Sequence, residues 1–186
     1  IADGNTAVGA SALYSDTSGI FNTALGNAAL FNNLNGKQNT AVGSLALYYN
    51  KGSQNTAVGY EALAYNELSS NNVAIGDSAL FNHSGSQGFN TAIGSKIMAS
   101  NTQGYSNTAG GYAALHSNTS GHSNTALGQG AGYWLQTGNH NISIGDRNFS
   151  RNFFNRCYFY SKIIVANGWI KIFLRQIGCA FENSIR

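Results

Sequence analysis

Apolar and polar positions alternate over very short distances in this chain, and the same arrangement returns about every 17 residues. A typical copy, NTALGNAALFNNLNGKQ at residues 22–38, contains a short run of β-formers, a glycine, a second short apolar run, and a cluster of Asn and Gly. Short apolar runs bounded by turn residues predict strands and turns. Because Asn, Ser or Gly clusters interrupt every apolar run within two helical turns, no helix of ordinary length is expected.

Each copy begins with a pentad of the form N-T-A-aliphatic-G. The pentads are spaced by 16 to 18 residues and start at Asn5, Asn22, Asn39, Asn55, Asn72, Asn90, Asn107, Asn124 and Asn141. Their fifth position is always glycine: Gly9, Gly26, Gly43, Gly59, Gly76, Gly94, Gly111, Gly128 and Gly145. A glycine at the same place in every copy predicts a backbone site that requires positive φ or a close approach.

One copy is too small to bury a core, so the copies must stack on one another. The predicted fold is therefore all-β, a parallel β-roll or solenoid of about nine 17-residue coils over residues 1–146. With strands about 4.8 Å apart, such a stack is a rod roughly 40 Å long. Equivalent residues of successive copies then form columns along the rod.

Alternation along each strand places the second and fourth pentad positions on one side and the alanine on the other. We expect the fourth position to face the core, with the mostly Thr second position beside it. The fourth-position row comprises Val8, Leu25, Val42, Val58, Ile75, Ile93 and Leu127. In the second apolar run, a Leu row precedes an aromatic row. Only one of these two rows can face the interior, and the other is an exposed apolar stripe.

Residues 147–186 have a different composition, with six of the ten Phe and seven of the ten basic residues of the chain. This tail has two open interpretations. In the first, two β-rich runs around an Asn167-Gly168 turn form a hairpin that caps the solenoid. In the second, the tail is an aberrant continuation of the chain with no evolved role.

Charge separates the two regions as well. The repeats carry three Lys and six acidic residues, a net charge of −3, whereas the tail carries seven basic residues and Glu182, a net charge of +6. Nucleic-acid binding by the repeats is therefore not expected. No apolar run is long enough for a membrane-spanning helix. Because Ile1 lies inside the repeat-like phrase IADGNTAVG, we expect a fragment of a longer protein.

Candidate catalytic and metal-binding groups are few and scattered. The histidines occupy different coil positions, which favours turn or surface roles: His83, His116, His122 and His140. Asp77 and Asp146 follow the pentad glycine, but other copies have uncharged residues there, which indicates a solvated rim. A second set of asparagines is interpreted as turn residues: Asn33, Asn50, Asn66, Asn101 and Asn118. The pattern predicts no enzyme, no metal and no cofactor.

The pentads, above all NVAIGDSAL at 72–80 and NISIG at 141–145, resemble the head repeats of YadA-like trimeric autotransporter adhesins, which repeat an SVAIG-like phrase. The resemblance covers residues 1–146. It implies a left-handed parallel β-roll, a homotrimer of chains side by side, and an extracellular adhesive role at the cell surface. Similar arrays occur in tail-fibre-like proteins of bacteria and phages, which implies a virion fibre. This chain differs from the adhesin pattern in its longer coil and in Thr at the second pentad position.

These patterns together predict a non-enzymatic adhesin or fibre head, a stiff rod that binds host, surface or matrix ligands through exposed turns. Two alternatives remain. One is an ice-binding solenoid, in which a Thr row spaced at about 4.8 Å organises water. The other is a purely structural spacer in a phage-like tail fibre. Ice binding requires an outward Thr row, whereas alternation places that row inward with the Val row.

Overall fold

The computed structural model of the chain describes residues 3–146 and the backbone of two short strands at 157–160 and 177–179. These residues are all-β and contain no helix. Each pentad forms a three-residue strand: β1 (Thr6–Val8), β2 (Thr23–Leu25), β3 (Thr40–Val42), β5 (Thr56–Val58), β7 (Val73–Ile75), β8 (Thr91–Ile93), β9 (Thr108–Gly110), β10 (Thr125–Leu127) and β11 (Ile142–Ile144). Two shorter strands, β4 (Tyr49–Asn50) and β6 (Tyr65–Asn66), pair in parallel elsewhere on the coil. The predicted β-solenoid is confirmed.

Neighbouring coils match residue for residue, and we number them from coil 1 at Asn5 to coil 9 at Asn141. Thr6 pairs with Thr23 and Ala7 with Ala24. The same parallel register continues from β2 to β11. Coil 3 has 16 residues and coil 5 has 18, so these differences in length are absorbed outside the sheet.

The second apolar run consists mainly of turns, and in coils 3 and 4 it ends in the two-residue strands β4 and β6, so the expectation of a second strand of four or five residues in every coil is wrong. Positions within a coil are counted from the pentad asparagine, which is position 1. Ala28 and Leu30, at positions 7 and 9 of coil 2, both have φ of 52°, in the left-handed region. Ala28 donates its N–H to Ala10 O of coil 1 at 2.8 Å, and Leu30 donates to Ala46 O of coil 3 at 3.0 Å. Left-handed backbone costs about 1–2 kcal/mol per non-glycine residue. Bonds to both neighbouring coils offset that cost.

The pentad glycines end each strand where successive coils approach closely. Their φ angles lie between 112° and 143°. A Cβ on Gly43 would lie 2.4 Å from Gly59 O. Glycine is therefore required twice over at this position, by its backbone conformation and by the neighbouring carbonyl.

Alanine and leucine fill the interior, so the Leu row is the one that faces inward. The buried pentad alanines are Ala24, Ala41, Ala57, Ala74, Ala92, Ala109 and Ala126. From the opposite wall come Leu30, Leu47, Leu63, Leu80, Met98 and Leu115, all fully buried. Since these larger side chains reach across a narrow interior, the strand has room to contribute only a small side chain.

The prediction that the fourth pentad position faces the core is wrong. Val8, Leu25, Val42, Val58, Ile75, Ile93 and Leu127 lie on the outside of the solenoid, exposed or half-buried. The Thr row lies on the same outer side, exposed or half-buried. The alternation itself is as predicted, but its direction is reversed because alanine occupies the interior.

Two columns of asparagine run inside the solenoid. The Oδ1 of Asn39, at position 1 of coil 3, accepts the backbone N–H of Asn55 in the next coil at 3.0 Å. The Nδ2 of Asn39 donates to Gly52 O at 3.0 Å, which ties the end of the coil to its start. At position 12, Asn50 donates its Nδ2 to Asn33 Oδ1 of the previous coil at 2.8 Å. Asparagines interpreted as turn residues are thus buried structural columns as well.

The sheet continues beyond coil 9 in the tail. Strand β12 (Cys157–Tyr160) pairs in parallel with β11, and β13 (Ile177–Cys179) pairs antiparallel with β12. The predicted Asn167-Gly168 turn lies outside the described residues. Whether the tail is an evolved cap therefore stays an open prediction.

Candidate functional site

The outer face of the sheet carries two uncharged columns of side chains. Position 2 contributes seven Thr, with Val73 and Ile142 in two copies. Position 4 contributes the aliphatic column, which is interrupted only at Gly110. Aliphatic members from Val8, at 55% exposed, to Ile144, at 36%, remain accessible to solvent. The face is therefore a regular array of hydroxyl, methyl and aliphatic groups.

Register keeps this array regular, because each residue pairs directly with its equivalent in the next coil. Val42 pairs with Val58, and Thr40 pairs with Thr56. No position of the two columns holds a charged residue. An exposed aliphatic column that runs along a face without charged residues is the kind of apolar patch that usually marks a contact surface.

Aromatic rings form a third exposed column, which is the apolar stripe that the sequence left unassigned. The Tyr14, Phe31 and Tyr48 rings stack with centroids 5.1 Å apart at each step. The column then shifts by one position, since Tyr49 stacks on Tyr65 with centroids 5.4 Å apart and ring planes inclined by 23°. In coil 6 the ring is replaced by Ala99.

A groove lies beside this column where coil 3 is shorter than its neighbours. Coils 2 and 4 each have two residues between the asparagine at position 12 and the next Gly or Ser: Leu34 and Asn35 in coil 2, and Glu67 and Leu68 in coil 4. Coil 3 has only Lys51 there. The resulting short-coil groove has a volume of about 550 Å³ and is lined by Asn32, Leu34, Tyr49, Asn50, Lys51, Tyr65 and Glu67. The sequence signal for it was the spacing of 16 residues between Asn39 and Asn55, which the sequence reasoning did not use.

A smaller recess of about 310 Å³ lies where Ala99 interrupts the ring column. Glu61, Lys96 and His116 are among its lining residues. The buried Nδ1 of His116 has no hydrogen-bond partner among the described residues. The same ring stacks on Tyr133 at 4.9 Å with an interplanar angle of 1°.

The histidines do not come together as one site. His83 replaces the interior asparagine in coil 5, with Nε2 3.0 Å from Gln87 O and Nδ1 3.3 Å from Asn101 O. Burial lowers the pKa of His83, although the two carbonyls act in the opposite direction. His122 lies against Tyr105 and His140, and its pKa is lowered first by burial and then by the charge of His140. The turn or surface interpretation is wrong for His83 because that ring is fully buried.

Acidic residues are likewise dispersed. Asp77 is exposed on the outside, 3.4 Å from the hydroxyls of Ser78 and Ser95. Asp146, the other acid after a pentad glycine, is also exposed. Within the described residues, no three His, Cys, Asp or Glu side chains form a group that could hold a metal ion. The exposed Tyr60 has a raised pKa, first because its hydroxyl hydrogen-bonds to Glu61.

No family model, curated protein or solved structure matches the chain. Across the described residues, no helix is long and apolar enough to span a membrane. The function proposed below therefore rests on the three exposed columns and the short-coil groove.

Proposed function

We propose that the chain is a segment of a non-enzymatic extracellular fibre or adhesin head, in which three copies pack side by side through the sheet face. The observation that carries this proposal is the aliphatic column exposed along the sheet. Each aliphatic side chain removed from water contributes about 25 cal/mol per Å². A column repeated in every coil but one adds that contribution along the length of the rod.

A trimer with parallel axes suits this face because all coils present equivalent groups at the same spacing. Contact between copies then repeats coil by coil, so the buried area grows with the number of coils. The aromatic column and the short-coil groove belong to other positions of the coil, so they stay available for ligands of a host, surface or matrix.

Sedimentation equilibrium on the full chain tests this proposal. The expected mass is three times the 19.6 kDa of one chain. Ile93→Lys, in the middle of the aliphatic column, should yield the mass of one chain with an unchanged β-rich circular dichroism spectrum. Tyr112→Lys, an exposed residue on the turn after Gly111, should leave the trimer intact. A monodisperse monomer of the unchanged chain would contradict the proposal.

Ice binding is a second candidate, favoured by the outward position of the Thr row. Thr hydroxyls and methyls repeat in register beside the aliphatic column, at strand spacings of about 4.8 Å. The expected inward Thr row, which argued against this function, is not what the structure has. The candidate excludes the trimer, because both would use the same face.

Thermal hysteresis measured on concentrated full chain separates the two candidates. An ice-binding monomer should show hysteresis that Thr91→Lys abolishes, with Tyr112→Lys as the matched control. A trimer without hysteresis, even at millimolar concentration, would eliminate ice binding.

A further inference from the structure

We propose that the short-coil groove binds neutral carbohydrate, with one hexose ring held against Tyr49. The inference deepens the proposed fibre function and rests on it for its biological purpose. It names a ligand class for one part of the exposed surface.

The first support is the exposed part of the Tyr49 ring, which lines the groove. Tyr65 in coil 4 stacks on Tyr49, and the Tyr48 ring meets Tyr49 nearly at right angles with centroids 4.6 Å apart. Towards coil 2 the equivalent position holds Asn32, which has no ring. One side of a pyranose ring is a flat surface of C–H groups, and such a surface packs on an aromatic face. A hexose in the groove would therefore pack against the part of the Tyr49 ring that Tyr65 and Tyr48 leave exposed.

The second support is the set of polar groups around that ring. The Lys51 ammonium donates hydrogen bonds, the Glu67 carboxylate accepts them, and the Asn32 amide does both. A sugar hydroxyl can donate and accept as well, so it can pair with each of these groups. One positive and one negative charge line the groove, which favours a neutral ligand over an anionic one.

The third support is the size and exposure of the groove. A volume of about 550 Å³ lies within the range of roughly 300–1,000 Å³ found for small-molecule sites. Tyr49 and Tyr65 are 43% and 44% exposed, so their rings are accessible without any rearrangement. The shortening of coil 3 is what creates this space, since coil 2 fills the same place with an additional residue.

The test uses the full chain and three neutral probes, cellotetraose, maltotetraose and mannotetraose, with an oligogalacturonate as the anionic comparison. Saturation-transfer NMR identifies binding, and titration calorimetry measures affinity. We expect at least one neutral probe to bind, and to bind more tightly than the anionic one. Tyr49→Asn, which places at this position the residue that coil 2 has, should weaken binding about tenfold or more. Tyr14→Asn, at an exposed ring outside the groove, should leave affinity unchanged.

A second variant changes the groove without removing any side chain. Insertion of one Asn between Lys51 and Gly52 restores a 17-residue coil with the spacing of coil 2. Binding should be lost while circular dichroism and sedimentation stay as in the unchanged chain. Absence of binding to all neutral probes, preference for the anionic probe, or binding that survives both variants would overturn the inference. Trimer mass is measured separately. A monomer that binds sugar would contradict only the proposed trimer, and a trimer that binds no neutral probe would contradict only the proposed ligand of the groove.

Discussion

At the scale of single residues, the asparagines at position 1 stabilise the stack from inside. Each accepts the backbone N–H of the equivalent asparagine in the next coil, at 2.8–3.1 Å from coil 1 to coil 9. A buried N–H without an acceptor costs about 1–3 kcal/mol. The repeated Asn therefore satisfies a backbone group that the neighbouring strand pairs do not reach.

Removal of one such side chain should destabilise the fold. In Asn39→Ala the buried N–H of Asn55 loses its acceptor, and a small cavity forms, so we expect a loss of about 2–3 kcal/mol in the free energy of unfolding. Urea unfolding followed by circular dichroism measures it. Asn35→Ala, at an exposed asparagine in coil 2, should change stability by less than about 0.5 kcal/mol. Equal effects of the two variants would refute the role of the column.

His83 gives the stack a pH dependence. Burial lowers its pKa in the folded protein, whereas the unfolded chain has the ordinary value of about 6.5. The unfolded state therefore binds more protons below that value, and stability falls as the pH drops from 6.5 towards the folded pKa, by at most about 1.4 kcal/mol per pH unit.

The His83→Asn variant restores the residue usual at position 12 and should flatten this dependence. Urea midpoints between about pH 8 and pH 5 measure the effect. Because burial lowers the pKa of His116 and His122 too, the difference between the two proteins isolates His83. Parallel pH profiles for both proteins would show that His83 does not contribute.

At the scale of the element, each strand is short and is ended by a glycine under a carbonyl of the next coil. In Gly43→Ala the new Cβ would lie 2.4 Å from Gly59 O, and the residue would have a φ of 133°. Because the clash is with a backbone atom, the backbone of coil 3 or coil 4 would have to move. We expect a loss of about 3 kcal/mol or more, read from thermal unfolding. At Gly110 the nearest atom to a new Cβ is Leu127 Cδ2, at 3.1 Å, the movable end of a side chain. Gly110→Ala should therefore cost less than about 1 kcal/mol, and a similar loss at both sites would contradict the carbonyl argument.

Strands were predictable from the sequence because Thr, Val, Leu and Ile repeat in the pentads at alternate positions. The turn conformation of the second run was not predicted, since its apolar letters also suit a strand. One signal was present. In coils 1 to 7 position 9 holds Leu or Met, as at Leu30, Leu47 and Met98, and in coil 8 it holds Gly132; none of these coils has Val, Ile or Thr there. β-Branched residues tolerate left-handed backbone poorly, so their absence distinguishes this run from the strands.

The outward direction of the position 4 side chains was not predicted, for a different reason. By hydrophobicity alone, Val, Leu and Ile are assigned to the core in preference to Ala. The interior of a 17-residue coil, however, has room for only a small side chain from the strand. Leu30 already crosses that space from the other wall and packs in the same cluster as Ala24 and Ala41. A rule that balances side-chain volumes across the coil would have turned the aliphatic column outward.

At the scale of the whole molecule, the strand contacts of described coils 1 to 9 join successive coils, so stability and length follow from the number of coils. The exposed columns share this property, since every coil adds one Thr, Val or Ile, and every coil but coil 7 adds one aliphatic group, to the same face. Both candidate functions therefore depend on an unbroken register as well as on the individual side chains of the columns. The groove is the exception, because one missing residue in coil 3 creates it.

Deletion of coil 7, residues 107–123, tests this modular construction. The cut joins Ser106 to Asn124 and brings β8 beside β10, so Thr91 would pair with Thr125 and Ile93 with Leu127. The variant should fold to a β-rich rod with a lower urea midpoint, because one interface between coils is lost. Deletion of residues 107–114 removes fewer residues but shifts every later column by about half a coil. That variant should lose cooperative unfolding, since the asparagine columns and the glycine contacts no longer align. A stable, cooperative fold after the half-coil deletion, or complete unfolding after the whole-coil deletion, would show that stability does not depend on coil register.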